Sequence, residues 1–225
     1  MVKKEPMISG SGIPQVEGIL TRNLKQNWFS VLFYKFVGGL ICLGAGLSVG
    51  REGPSVQMGA CVGEGVSEKT NKLDNEKKYL ITSGASAGLS AAFNAPISGV
   101  MFSLEETHKN FSPFVLVSAM IASLMADFVS KNFFGLTPSL YFERLNSLPL
   151  KYYWGLIILG IIIGTSGVIF SKGLLKTQDL YKKLNMSVEV KCIIPFIMTG
   201  ILALIFPIVL GGGHELIMSL KDGQF

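Results

Sequence analysis

An all-α integral membrane fold, polytopic and built partly from broken, half-length helices, is predicted by three features of the 225-residue sequence. First, 49% of the residues are hydrophobic and only 16% charged, with a mean hydropathy of +0.47. Soluble domains carry about 25% charged residues. Second, several uncharged runs approach the roughly 20 helical residues that cross a bilayer, and they lack the two-residue alternation of a membrane β-barrel. Third, Gly and Pro interrupt some of these runs, as expected of helices that end inside a membrane around an ion site.

Met1 to Pro6 is polar, and no apolar core follows the basic residues of Met1 to Met7, which excludes a signal peptide. Gly10-Ser11-Gly12 forms a tight turn, and Pro14 opens a short helix. Alone, this segment reads as an ordinary helix cap; a second Gly-rich helix start in the same chain points instead to an ion site. Phe29 to Val49 is the first apolar span and contains Lys35. That lysine either reaches an interface or meets a buried partner, for which Glu17 is the nearest acidic residue in sequence.

Gly50-Arg51-Glu52-Gly53-Pro54 comes next, followed by an uncharged run of eleven residues, Gly53 to Gly63. Eleven helical residues cover about 16 Å, half of a bilayer core of about 30 Å, so a half-length helix starting inside the membrane is expected. Pro54 suits a first helical turn. The free N–H groups of such a helix start attract an anion, and Glu52 sits where that anion would sit. A carboxylate at membrane depth is costly unless functional.

Glu64 to Lys78 reads as a solvated charged loop whose charges nearly cancel. Tyr79 to Leu104 is uncharged for 26 residues, and its Ser83–Ala92 stretch is rich in small residues that suit close helix contacts. Asn94-Ala95-Pro96 breaks it, because a residue before proline avoids helical geometry, and a short helix over Ile97 to Glu106 follows. Glu105-Glu106 reads either as a helix end reaching headgroups or as a proton relay. His108 reads as a headgroup residue. Phe111 to Ser130, Tyr152 to Ser171 (continuing as a polar helix towards Leu184) and Cys192 to Gly213 are further spans, the last bent or ended near Pro207. Gly211–Glu215 reads as another helix start, with His214 capping or facing solvent. No cysteine or histidine cluster suggests a metal, no cofactor is implied, and no nucleophile–base pair suggests an enzyme. A net charge of +5, lying mostly in short segments between apolar runs, gives no sign of a nucleic-acid partner.

Three separated motifs carry a resemblance to the chloride channel and chloride–proton exchanger (CLC) family: Gly10-Ser11-Gly12-Ile13-Pro14, Gly50-Arg51-Glu52-Gly53-Pro54, and Phe93-Asn94-Ala95-Pro96 with Glu105-Glu106. The match runs over most of residues 9 to 216. The resemblance implies part of an inverted-repeat fold in which short-helix starts converge on an anion. It also implies a multi-pass cell-membrane protein that is a homodimer when complete. On this reading Gly10, Ser11, Gly12, Ile13 and Gly53 contact chloride, Glu52 is the gate, Glu106 transfers protons, Lys35 supplies positive potential, and Arg51 supplies positive potential or a structural salt bridge. Residues 1–225 are expected to form one partial transmembrane domain, lacking the family's first helices and its C-terminal half. The expected activity is H+/Cl− exchange within a complete subunit. A passive voltage-gated chloride channel, or a non-transporting truncated membrane fragment, stands as the alternative.

Overall fold

A computed structural model describes residues 1–109, 111–135, 149–213 and 217. It comprises two compact units, Met1–Tyr141 with Leu210–Phe225, and Phe142–Val209. The first holds α1 (Ile13–Leu20), α2 (Trp28–Gly44), α3 (Glu52–Lys69), α4 (Asp74–Phe93), α5 (Pro96–Phe102), a π-helical turn (Ser103–His108) and α6 (Pro113–Phe134). No strand occurs among the described residues. The protein is an all-α integral membrane protein, as the sequence predicts.

Local chemistry sets most of the boundaries. Gly12, at φ +105°, precedes α1, and Pro14 lies in its first turn. Asn27 caps α2 by accepting a hydrogen bond from Ser30 N at 3.2 Å. α2 ends at Gly44, earlier than the expected Val49, where Gly46 turns the chain at φ +76°. Glu76 accepts from Leu73 N at 3.2 Å at the start of α4. Asn94, left-handed at φ 53°, ends α4 one residue before the non-helical Ala95, and Pro96 opens α5. The break at Asn94-Ala95-Pro96 therefore falls where expected.

Three expectations are corrected here. α3 does not stop after eleven residues. It runs for 18, about 27 Å, because nothing in Glu64–Glu68 breaks a helix. Glu64 is consequently not a solvated loop residue. It is only 3% exposed, and its carboxylate pairs with Lys77 Nζ at 2.9 Å and accepts from Gln26 Nε2 at 2.9 Å. A buried carboxylate is tolerated when paired and hydrogen-bonded in this way. The short helix expected over Ile97 to Glu106 is divided, α-helical to Phe102 and π-helical from Ser103.

α4 lies against α3 and α6. Its contact with α3 is nearly backbone to backbone. A Cβ built on Gly59 would strike the Gly84 carbonyl, one on Gly84 would strike the Gly59 carbonyl, and one on Gly88 would strike the Ser55 carbonyl. The small-residue run Ser83–Ala92 thus packs against helices, as its composition suggests. On the α6 side, Ser86 Oγ and Ser123 Oγ lie 2.6 Å apart, and Ser90 Oγ donates to Ser123 O at 2.9 Å. The core joins Val16, Ile19 and Leu20 of α1 to Val56 and Ala60 of α3 and to Ile81, Ala85 and Leu89 of α4. A second cluster is formed by Val100, Leu104, Val115 and Ala119. On α6, Asp127 is buried and pairs with Lys131 at 2.6 Å.

The second unit contains α7 (Tyr153–Lys183) and α8 (Val188–Ile205). α7 is one continuous helix of 31 residues, so the polar extension expected towards Leu184 is present. It and α6 are both long and apolar enough to cross a membrane. α8 contains Pro195 and ends before Pro207, which opens a 3-10 turn. Most of the expected loop Lys131 to Pro149, and His214 and Glu215, lie outside the described residues.

Candidate functional site: a glycine-rich helix start facing a second loop

Two short-range features build the site. The first is the turn before α1. Gly10, at φ +71°, and Gly12, at φ +105°, take left-handed conformations that disfavour other residues. Between them Ser11 is exposed, with its Oγ 3.4 Å from Ile13 N. The second is the start of α3. Glu52 and Gly53 occupy its first turn, with Arg51 as the capping residue.

These two segments touch. A Cβ on Gly53 would lie 2.5 Å from Ser11 O and 2.8 Å from Ser11 Cβ. Only glycine lets the loop come this close. Gln57, one turn further along α3, lies against Gly12 in the same way and donates from Nε2 to Met7 O at 2.8 Å. Gln57 Oε1 is buried with no hydrogen-bond partner among the described residues. Gly10, Ser11, Gly12, Ile13 and Gly53, far apart in sequence, thus form one neighbourhood at the junction of α1 and α3.

Lys35 fixes the loop from behind. It is 6% exposed, and its Nζ donates to Ile8 O at 3.0 Å and to Gly10 O at 2.8 Å. Of the two expectations for Lys35, the structure has the buried partner, but that partner is not Glu17. Two backbone carbonyls take the role, and Glu17 pairs instead with Lys109. The lysine brings a positive charge within hydrogen-bond reach of the glycine loop. Replacing it with methionine removes two charge-assisted hydrogen bonds and leaves two carbonyls unsatisfied. Lys35→Met is expected to lower stability by about 1.5–3 kcal/mol, read as a reduced melting temperature in detergent. An unchanged melting temperature contradicts this anchoring role.

Glu52 is half-buried. Its Oε2 occupies the space where a side chain on Gly50 would begin, so Gly50 provides the room into which the carboxylate folds. Arg51 is exposed and accepts through its carbonyl from Ser55 N at 3.0 Å and Ser55 Oγ at 2.8 Å. The first-turn N–H groups of α3 and the positive end of its dipole favour negative charge at this point.

Glu106 does not belong to this cluster. It lies exposed on the π-helical turn, which packs against α1, α4, α5 and α6. α1 connects the two places. Its start carries the glycine loop, and Glu17, near its other end, reaches the residues after Glu106 through Lys109. His108 is not a free headgroup residue. Its Nδ1 lies 3.0 Å from Thr82 Oγ1 and its ring is near Tyr79. Gln57, Lys109 and the Glu64–Lys77–Gln26 group are not singled out by the sequence. Only Gln57, a long polar residue within the uncharged run Gly53 to Gly63, carries a signal that could have found it. Among the described residues no group of three His, Cys, Asp or Glu side chains is placed to hold a metal.

The chain is similar to known proteins in sequence and in fold. The chain is 37% identical over 230 residues to the H(+)/Cl(−) exchange transporter ClcA of Salmonella typhimurium strain LT2, covering 99% of this chain and 49% of that protein. ClcA of Salmonella typhi matches to the same extent. The chain therefore spans about half the length of these curated relatives. Among solved structures it is similar to a slow cyanobacterial Cl−/H+ antiporter, with a TM-score of 0.87 and 34% identity over 98% of this chain and 52% of that one. A CLC-type fluoride/proton antiporter shares the fold, with a TM-score of 0.81 at 22% identity over 96% of this chain and 55% of that one. Residues 1–225 match the family described as "Voltage gated chloride channel", and the chain belongs to that family.

Proposed function

We propose that these residues form the part of a longer transport subunit that holds its gating carboxylate, and that the complete subunit exchanges chloride for protons. The single observation that carries this reading is Glu52 in the first turn of α3, directly beside the contact between Gly53 and Ser11. An anion at the junction would be bound by Ser11 Oγ and by N–H groups around Gly10, Gly12, Ile13 and Gly53. Lys35 and Arg51 add positive potential. Glu52 competes with the anion when ionised and releases the site when protonated. Glu106 is the second titratable group that an exchanger requires, and it lies on an element that packs against the other end of α1. The exchange reading is supported by the printed function of the ClcA relatives, H(+)/Cl(−) exchange. The subunit acts as a transporter rather than an enzyme, as a homodimer in the cell membrane.

The test removes the titratable group at Glu106 with almost no change of shape. In complete subunits reconstituted into liposomes, Glu106→Gln is expected to retain chloride movement and lose proton movement, read by a chloride electrode and a pH dye. Parent-like proton movement in Glu106→Gln would remove the exchanger assignment.

A further inference from the structure

We infer that Gln57 is a positioning residue for the anion: its amide ties the glycine loop to α3 and thereby sets how tightly chloride is held between Ser11 and Gly53. This rests on reading that junction as the anion site. Gln57 lies four residues after Gly53 on α3, so the two share a helix face. It is fully buried. Its side chain crosses to the loop before α1, where Nε2 donates to Met7 O at 2.8 Å. The rest of the amide lies against Gly12, where an added Cβ would stand 2.5 Å from Oε1.

The amide has one favourable orientation. Turning it over would set Oε1 against the Met7 carbonyl, two acceptors face to face. With Nε2 committed to Met7, Oε1 faces Gly12 and has no hydrogen-bond partner among the described residues. A buried carbonyl without a donor is costly. A methionine would fill the same space without that cost, so bulk does not account for an amide here, whereas the bond to Met7 does. The end that faces Gly12 is an acceptor and offers an anion no donor. Gln57 therefore acts through the loop it holds and not by contact with the anion.

Lys35 also grips this loop, through Ile8 O and Gly10 O, but it does so from α2, which carries none of the proposed anion donors. Gln57 stands on the helix that carries Gly53, so it links the two halves of the junction directly. Gly12, at φ +105°, accepts through its carbonyl from Val16 N at 3.1 Å and so begins α1. A shift at Gly12 is passed to Ser11 on one side and to the start of α1 on the other. Hydrogen bonds weaken steeply outside a narrow range of distance and angle, and a binding constellation must be held to within about 0.5 Å. The bond from Gln57 to Met7 thus governs whether donors from both segments reach one anion.

The test titrates chloride into complete subunits in detergent by calorimetry and records the melting temperature of each protein. The parent is compared with Gln57→Met. In a Glu52→Gln background, which removes the titrating neighbour, Gln57→Glu is measured across pH. Gln57→Met keeps the bulk and loses the donor, and is expected to bind chloride about three- to tenfold more weakly, the worth of one hydrogen bond. At low pH the neutral carboxyl of Gln57→Glu can donate its O–H to Met7 O, so its affinity should match that of Glu52→Gln alone. At high pH the ionised carboxylate cannot donate, and binding should weaken at least as much as in Gln57→Met. A residue needed only for stability would lower the melting temperature and leave the affinity of the folded protein unchanged. Unchanged affinity in Gln57→Met, or an affinity of Gln57→Glu that does not follow pH, overturns the role of Gln57, while chloride binding by the parent keeps the junction reading. Should Gln57→Met fail to fold, the pH series of Gln57→Glu decides. No saturable chloride binding by the parent defeats both readings together.

Discussion

Gly84→Leu is expected to abolish the folded first unit. The contact between α3 and α4 has no space for even one additional carbon, because a Cβ on Gly84 would collide with the Gly59 carbonyl and one on Gly59 with the Gly84 carbonyl. A flexible side chain can move aside, but a helix backbone cannot without separating the two helices. Overpacking of cores that can partly adjust costs about 1–3 kcal/mol, and this seam, made of backbone on both sides, should lie at or beyond the upper limit. Separation would also displace the start of α3, since Val56 and Ala60 share one core with Ile81, Ala85 and Leu89. Thermal unfolding and size-exclusion chromatography of purified variants check this. Gly84→Ala should already be destabilised, and Gly84→Leu should aggregate or fail to accumulate. A Gly84→Leu protein with the parent's melting temperature would mean that the close seam is not structural.

How much of this was legible beforehand depends on whether the signal is local. The break at Asn94-Ala95-Pro96 was legible, because proline constrains the residue before it wherever it stands. The packing of Ser83–Ala92 was legible from residue size. The left-handed glycines before α1 announced a tight turn. The extent of α3 was not legible: the charged residues from Glu64 suggested a loop, yet charge alone does not end a helix, and Lys77 and Gln26 satisfy Glu64 from separate segments. Lys35 illustrates the same limit. The sequence leaves Lys35 either at an interface or with a buried partner; its partners are the carbonyls of Ile8 and Gly10, and carbonyls have no sequence signature. Glu17 and His108 were likewise assigned surroundings by proximity in sequence, whereas Lys109 and Thr82 reach them across the fold. The meeting of Ser11 with Gly53 was implied only by the family resemblance. No property of either segment alone specifies it.

The second large effect concerns Glu52. Its carboxylate lies at the positive end of an 18-residue helix and folds into the space above Gly50. An anion bound near Ser11 and Gly53 would compete with it for the same field. Glutamine has nearly the same volume but carries no charge and does not titrate, so Glu52→Gln mimics the protonated side chain permanently. The anion path should stay open while proton movement falls to background, and the pH dependence of chloride flux should flatten. A glutamate with a purely capping role would give a different result, a loss of stability with coupling unchanged. The decisive measurement is simultaneous chloride and proton flux from liposomes holding complete parent or Glu52→Gln subunits, over an external range of about pH 4 to 8. The account predicts pH-dependent, proton-coupled chloride flux in the parent and flat, uncoupled chloride flux in Glu52→Gln; two superimposable pH profiles with coupling intact in both would contradict it.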